Sequence, residues 1–154
     1  MHTRARAFSL IELVIVVVIL GIIAAIAAPR MSRGSKGAVD SALKSDLAVL
    51  RNAIELYQIE HDGLYPSETD FHDQLETFTN IAGLSSATKD TTFYLGPYIA
   101  AVPAVTVGAN KGFNTISSTV GPGIGWIYSP GTGEVYANVD PLLLDDRGVA
   151  YVDY

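Results

Sequence analysis

Phe8–Ala28 reads FSLIELVIVVVILGIIAAIAA, and this apolar stretch decides the fold of the chain. It contains one charged side chain, Glu12, and one other polar side chain, Ser9. As an α-helix it spans about 31 Å, which is enough to cross the hydrocarbon core of a bilayer. A carboxylate costs roughly 2.5 kcal/mol or more inside a membrane and is retained where it has a partner. The pattern therefore predicts a transmembrane helix in which Glu12 has a specific role.

The residues around the stretch indicate its orientation and its shape. Arg4 and Arg6 precede it, and basic residues before an apolar helix predict a cytoplasmic N-terminus and an exported remainder. Gly21 is a poor helix former, and Pro29 lacks the amide donor of a helical hydrogen bond. We therefore expect a bend or a locally unwound turn between Gly21 and Pro29.

The basic leader and the apolar stretch are joined by a short motif. The leader ends at Ala7, Phe8-Ser9-Leu10-Ile11-Glu12-Leu13 follows, and the apolar run continues to Pro29. Residues 4–29 thereby resemble the precursor of a type IV pilin-like protein, a family that has a Glu and a Pro at the places of Glu12 and Pro29. The family usually has Gly where this chain has Ala7.

The resemblance implies how the precursor is processed and where it acts. Residues 1–7 are implied to be a leader that a prepilin peptidase removes by cutting between Ala7 and Phe8, and the new amine of Phe8 is then methylated. Phe8 and Glu12 are implied to act in assembly, and residues 8–29 to form a transmembrane helix that later lies in a filament core. The implied location is the inner membrane, crossed once with the N-terminus in the cytoplasm, and then a periplasmic or extracellular filament.

The same resemblance implies a set of partners. They are other copies of the chain in a helical filament, membrane lipid before assembly, the prepilin peptidase, and an inner-membrane assembly platform with its ATPase. Two simpler interpretations of the N-terminus compete with it. One is a Sec signal peptide, for which Ala25-Ile26-Ala27 is a suitable small-residue cleavage site, and the other is an ordinary single-pass anchor. Neither explains Glu12, so the pilin-like interpretation is favoured.

The composition of the rest of the chain limits its function. Its 154 residues suffice for one anchor and one small head domain. From Ser32 onward fifteen acidic residues face seven basic ones, which argues against binding to nucleic acid. There are no cysteines, so an exported head has to be stabilised by packing, by neighbouring subunits or by a bound ion rather than by disulfides.

Residues 30–62 have the pattern of an amphipathic helix that continues into the head. Its apolar positions step by three or four residues and form one stripe. They are Val39, Leu43, Leu47, Leu50, Ile54 and Tyr57. Two ion pairs at i,i+4 are predicted on other faces, namely Asp40–Lys44 and Arg51–Glu55. Asp62-Gly63 predicts that the helix stops near His61.

Residues 63–154 are predicted to form a loop and a β-rich head. The clearest signal is Gly125 to Asn138, where two aromatic and β-branched runs flank Pro130-Gly131 and predict a hairpin. The weaker predictions are a short helix at 68–78 and strands at 91–95, 104–107 and 149–154. The predicted fold class is α+β, with a long N-terminal helix packed on a small antiparallel sheet, which resembles the pilin fold.

Few residues show a pattern typical of catalysis. His61 beside Asp62, and His72 with Glu76, are interpreted as solvated polar faces, because two ligands do not make a metal site. No set of residues indicates an enzyme, and no catalytic residue is predicted.

One acidic loop is a candidate for calcium. It holds Asp140, Asp145 and Asp146, and such loops supply the six to eight oxygens that calcium takes. Major pseudopilins that resemble this chain bind calcium in a C-terminal loop, which implies these three residues as ligands. A solvated acidic loop is the alternative.

The resemblance implies a structural role. Within the type IV pilin-like family, the short head without cysteines is most similar to a major pseudopilin of a type II secretion system, and Gly63, Tyr65 and Pro66 fit that branch. The main alternative is a type IV pilus pilin for adhesion or motility. The alternative from another class is a membrane-anchored enzyme or solute-binding domain.

Overall fold

The computed structural model describes residues 9–154, with the backbone alone described for residues 27–35. It contains two α-helices, five short strands and a 3₁₀ turn. They are α1 (Leu10–Glu60), α2 (Phe71–Glu76), β1 (Phe78–Thr79), β2 (Ser85–Ser86), β3 (Ile116–Ser117), β4 (Trp126–Tyr128), β5 (Val135–Ala137) and the turn Tyr151–Asp153. The chain divides into two compact units, Met1–Lys36 and Gly37–Tyr154. The α+β fold class is confirmed, with a long N-terminal helix followed by small sheets.

Helix α1 is continuous through the segment in which the sequence predicts a bend or an unwound turn. Gly21 and Pro29 both lie inside the helix, and nothing lies within 4 Å of the position that a Cβ of Gly21 would take. The single subunit therefore contains no unwound turn there. The unwinding expected in an assembled filament is a different state and stays a prediction.

The predicted apolar stripe forms the core of the unit Gly37–Tyr154. Five of its members are at most 2 % exposed, and the sixth, Val39, is partly buried against them. The five are Leu43, Leu47, Leu50, Ile54 and Tyr57. They pack in one cluster with Phe71 of α2 and with Trp126 and Tyr128 of β4. The amphipathic interpretation of this helix is confirmed.

The two ion pairs predicted on α1 are absent from the part of the chain that the structure describes. Lys44 Nζ lies 3.9 Å from Asp145 Oδ2, while Arg51 donates to the carbonyl oxygens of Tyr154 (2.6 Å) and Val135 (3.1 Å). An exposed i,i+4 pair contributes only a few tenths of a kcal/mol, roughly 0.3–0.5, so other acceptors within reach compete with it successfully. Both cations thus connect α1 to the last part of the head.

Helix α1 ends at Glu60, as Asp62-Gly63 predicts. Asp62 has a left-handed backbone with φ 54°, and the amide of Gly63 donates to the Gln58 carbonyl at 2.9 Å. This bond satisfies one of the free carbonyls at the helix end.

His61 is fully buried, so its interpretation as part of a solvated face is wrong. Its Nδ1 donates to the Tyr57 carbonyl (2.8 Å), and its Nε2 accepts from the Thr79 hydroxyl (3.1 Å). A carbonyl only accepts, which fixes the tautomer of the neutral ring. The ring stacks on Tyr57 at 3.7 Å, so His61 joins the end of α1 to β1.

Strands β4 and β5 form the predicted hairpin. Trp126 lies opposite Ala137 and Tyr128 opposite Val135, in antiparallel register. Strand β3 pairs with β4 in parallel, so this sheet is mixed rather than antiparallel as predicted, and β1 pairs with β2 in a second, antiparallel sheet.

Four other local predictions are corrected. The helix predicted at 68–78 is limited to α2, and the segment 91–95 contributes a single bridge, from Leu95 to Thr79. The segment 104–107 is not a strand but a loop, and the amide of its Val105 bonds the Phe113 carbonyl at 2.9 Å. The segment 149–154 forms the 3₁₀ turn instead of a last strand. None of the three predicted strands forms more than one isolated bridge.

Side chains that bond to the backbone hold the irregular parts of the head. Trp126 Nε1 donates to the Pro103 carbonyl (2.7 Å), and the Tyr128 hydroxyl donates to the Pro66 carbonyl (2.9 Å). Every buried polar side-chain atom of the described residues has a hydrogen-bond partner. In a chain without disulfides, these bonds and the core fix the loops.

Candidate functional site

Glu12 lies in the first turn of α1, close to the start of the described chain. Its Oε2 accepts a hydrogen bond from the Ser9 amide at 3.1 Å, and the Ser9 carbonyl accepts the first helical bond, from Leu13, at 3.2 Å. A Glu three residues after a Ser is the arrangement of a capping box, in which the carboxylate reaches back to the amide before the helix. Glu12 is therefore directed toward the N-terminal end of its own helix. The predicted cleavage residues Ala7 and Phe8 lie outside the described residues.

The apolar side chains that follow Glu12 are all exposed in the subunit. Between Leu10 and Ile26 each large apolar side chain is at least 47 % exposed. A contiguous apolar surface of this kind marks contact with lipid or with other protein chains. Glu12 is exposed within it and forms no ion pair with any described residue. The carboxylate is thus available to a cation from outside this part of the chain.

The residues whose side chains are described contain no helix with an apolar stretch of the length needed to cross a membrane. The transmembrane segment predicted at 8–29 begins and ends beyond those residues.

A second cluster of carboxylates lies in the head. It joins Asp145 and Asp146 of the predicted calcium loop to Asp40 of α1, with carboxylate oxygens within 4.8 Å of one another. Asp140 is not a member, because its Oδ1 instead accepts the Leu142 amide at 2.9 Å in a turn. The structure therefore brings together two of the three predicted ligands and adds one.

Asp145 already has donors on both of its oxygens. Its Oδ1 accepts the amides of Arg147 and Val149, both at 2.8 Å, and its Oδ2 accepts the Tyr154 hydroxyl at 2.6 Å and Arg147 Nη2 at 3.2 Å. The Tyr154 hydroxyl, followed by these amides and the guanidinium, holds the pKa of Asp145 well below its usual value of 3.8, although burial acts in the opposite direction.

The carboxylate of Asp40 likewise accepts a hydrogen bond on each of its oxygens. One of its oxygens accepts the Tyr151 hydroxyl, and the other accepts the Asp146 amide at 3.1 Å. Calcium takes six to eight oxygens that have lone pairs directed at the ion. Because the oxygens of the two buried carboxylates are engaged with protein donors, this arrangement does not fit a calcium site.

The sequence did not predict that Asp40, Tyr151 and Tyr154 meet in this cluster. Asp40 is 106 residues away from Asp146, and no local periodicity connects positions so far apart. A weaker signal was available in the spacing of the two tyrosines. Residues three apart share one side of a 3₁₀ turn, so Tyr151 and Tyr154 reach neighbouring carboxylates.

Comparison with known families gives a match at the N-terminus. Residues 2–28 match the family described as the prokaryotic N-terminal methylation motif. Comparisons with curated proteins and with solved structures give no match. The matched segment contains the predicted cleavage site and Glu12, and the fold has the long N-terminal helix and small sheets that the resemblance implies. The N-terminal segment therefore carries the signature of type IV pilin-like precursors, as the resemblance implies.

Proposed function

We propose that this chain is the structural subunit of a type IV pilus-like filament, most similar to a major pseudopilin of type II protein secretion. The observation that carries the proposal is Glu12, an exposed carboxylate at the start of an exposed apolar helix, directed toward the N-terminus. Before cleavage, the proposed precursor lies in the inner membrane with its head outside the cytoplasm. After cleavage it is lifted by an assembly platform and its ATPase into the filament.

In this proposal the partner of Glu12 is the methylated amine of Phe8. Within one helix the two groups lie about one turn apart, roughly 6 Å along the axis. Each charge alone is costly in apolar surroundings, and pairing offsets part of that cost. Pairing between neighbouring subunits also sets their register, because a misplaced subunit leaves both charges without a partner.

The exposed apolar surface supports the same proposal. The side chains from Leu10 to Ile26 need an apolar environment, which lipid supplies before assembly and neighbouring helices supply in the filament. The same surface thus serves in both environments.

A wide groove of the head supports a structural role over solute binding. It has a volume of about 1000 Å³ and lies between loops 108–123 and 138–143. Its two amide side chains are engaged in holding these loops, since Asn138 Nδ2 donates to the Gly121 carbonyl (2.8 Å) and Asn110 Oδ1 accepts the Gly123 amide (3.0 Å). A solute site needs polar groups that converge on the ligand, and these amides are directed at the backbone.

Substitution of Glu12 tests the proposal. Glu12→Val and Glu12→Gln remove the charge and make the segment more apolar, so we expect normal membrane insertion and cleavage but at least a tenfold loss of sheared filaments. Glu55→Gln, which removes an exposed carboxylate further along α1, is the matched control and should assemble normally. Immunoblots separate precursor from mature subunit, and shearing followed by sedimentation measures filaments. Wild-type filament yield from Glu12→Val would contradict the pairing and favour the anchored-domain alternative.

A further inference from the structure

We propose that the cation at the carboxylate cluster of the head is the chain's own Arg147 guanidinium, assisted by Lys44, in place of a divalent metal ion. The proposal concerns how the head is stabilised and is independent of filament assembly. It follows from the positions of the two basic side chains, from the burial of the acidic ones, and from the elements that the cluster connects.

The guanidinium of Arg147 lies between two carboxylates. Its Nη2 and Nε lie 3.2 Å and 3.3 Å from Asp145 Oδ2, and Nε is 3.9 Å from Asp146 Oδ1. Lys44 Nζ approaches the same Oδ2 of Asp145 to 3.9 Å. A metal ion bound at this point would need the oxygen that these groups already contact, and it would lie against two positive charges.

Burial explains why a cation is needed here. Asp40 and Asp145 are 4 % and 7 % exposed, and a carboxylate removed from water has to be paired or hydrogen-bonded. The Arg147 side chain remains 63 % exposed while that of Asp145 is fully buried. Arg147 therefore covers Asp145 from the solvent side. A planar guanidinium with several donors suits this position, since it can contact two acceptors at once.

The cluster connects α1 to the last residues of the described chain. Asp40 and Lys44 belong to α1, and the Tyr151 and Tyr154 hydroxyls bond to Asp40 and Asp145. The Lys44 amine also lies 4.0 Å from the centre of the Tyr154 ring, within the range of a cation–π contact. The segment after Asp140 is thus attached to the core helix by proton donors and cations of the chain itself.

Calcium dependence of the full-length protein in detergent tests the proposal. The melting temperature of the wild type should be the same in excess EGTA and in millimolar calcium chloride. Arg147→Gln should lower the melting temperature by a few degrees in EGTA, because Asp145 and Asp146 then lack the guanidinium. Calcium should not restore the loss, because two backbone amides and the Tyr154 hydroxyl still occupy the oxygens of Asp145. Lys111→Gln removes one exposed positive charge away from the cluster and should leave the melting temperature unchanged.

Three results would overturn the proposal. The first is a wild-type melting temperature that rises with calcium or a wild type that binds calcium in a calorimetric titration. The second is an Arg147→Gln variant that melts like Lys111→Gln. The third is an Arg147→Gln variant whose melting temperature calcium restores to the wild-type value, because the cluster would then accept a metal ion despite its protein donors. Should Arg147→Gln fail to fold, Arg147→Lys retains the charge and serves instead. Its melting temperature is expected to be slightly below that of the wild type and to be the same with and without calcium.

Discussion

At the scale of single residues, the hairpin between β4 and β5 depends on the absence of a side chain at Gly133. Its backbone has φ 74°, and a Cβ there would lie 2.3 Å from Cε1 of Tyr65. Gly133→Ala should therefore destabilise the head by about 1–3 kcal/mol, through backbone strain and displacement of the Tyr65 ring. The single tryptophan, Trp126, is buried in β4 and reports unfolding in urea by its fluorescence.

The same turn offers a matched control for this prediction. Nothing lies within 4 Å of a Cβ built on Gly131, which precedes Gly133 by two residues. Gly131→Ala should change the free energy of unfolding by no more than about 0.5 kcal/mol. Equal unfolding midpoints for the two variants would show that Tyr65 does not restrict the turn.

At the scale of elements, the segment of α1 between Gly21 and Pro29 is where we expect assembly to change the helix. It is helical in the subunit, but Gly is a weak helix former and Pro supplies no amide donor. In the filament we expect a rise above the helical value of about 1.5 Å per residue over this segment, which lets the subunit lengthen. Pro29→Ala restores the donor and should bring the rise closer to that value. Electron cryomicroscopy of both filaments measures it, and an unbroken helix over 21–29 in the wild-type filament would refute the expectation.

The elements also show which parts of the fold the sequence could predict. The stripe on α1, its end at Asp62-Gly63 and the β4–β5 hairpin were predictable because each depends on residues within a few positions of one another. The parallel pairing of β3 with β4 was missed because the segment before Gly125 is rich in Gly, Ser and Thr and has no strand pattern. The 3₁₀ turn at Tyr151–Asp153 was missed because Tyr151 bonds to Asp40, which is distant in sequence.

The two candidate sites also differ in how far apart in sequence their residues lie. The N-terminal site stays a prediction that rests on residues within one short motif, and that motif matches a family. The carboxylate cluster was predicted only in part, because Asp40 reaches Asp145 and Asp146 through the fold and Asp140 does not. A charge next to the apolar stripe of α1 was visible in the sequence, but its partners were not.

At the scale of the whole molecule, the proposed function requires a precursor with a basic leader to become a subunit with a free amine. In this proposal, prepilin cleavage before Phe8 removes Arg4 and Arg6 together with the rest of the leader and creates the cation that pairs with Glu12. The proposal thus couples processing to assembly, since an uncleaved chain has no amine at that position. In a Sec-type precursor, cleavage would remove Glu12 with the apolar stretch and leave no such pair.

We expect the mature protein in purified filaments to begin at Phe8 with a methylated amine, as intact-mass measurement can determine. The family usually has Gly before the cut, and Ala7 is the next smallest residue, so we expect a prepilin peptidase to accept it. Ala7→Gly should therefore be cleaved at least as fast as the wild type. Ala7→Val places a branched side chain before the cut and should accumulate precursor, with filament yield falling in proportion to the uncleaved fraction. His2→Ala changes a leader residue that is distant from the cut, so it serves as the control and should be processed normally. A mature N-terminus at Ala28 in the wild type would show Sec-type cleavage instead and remove the basis for pairing between Phe8 and Glu12.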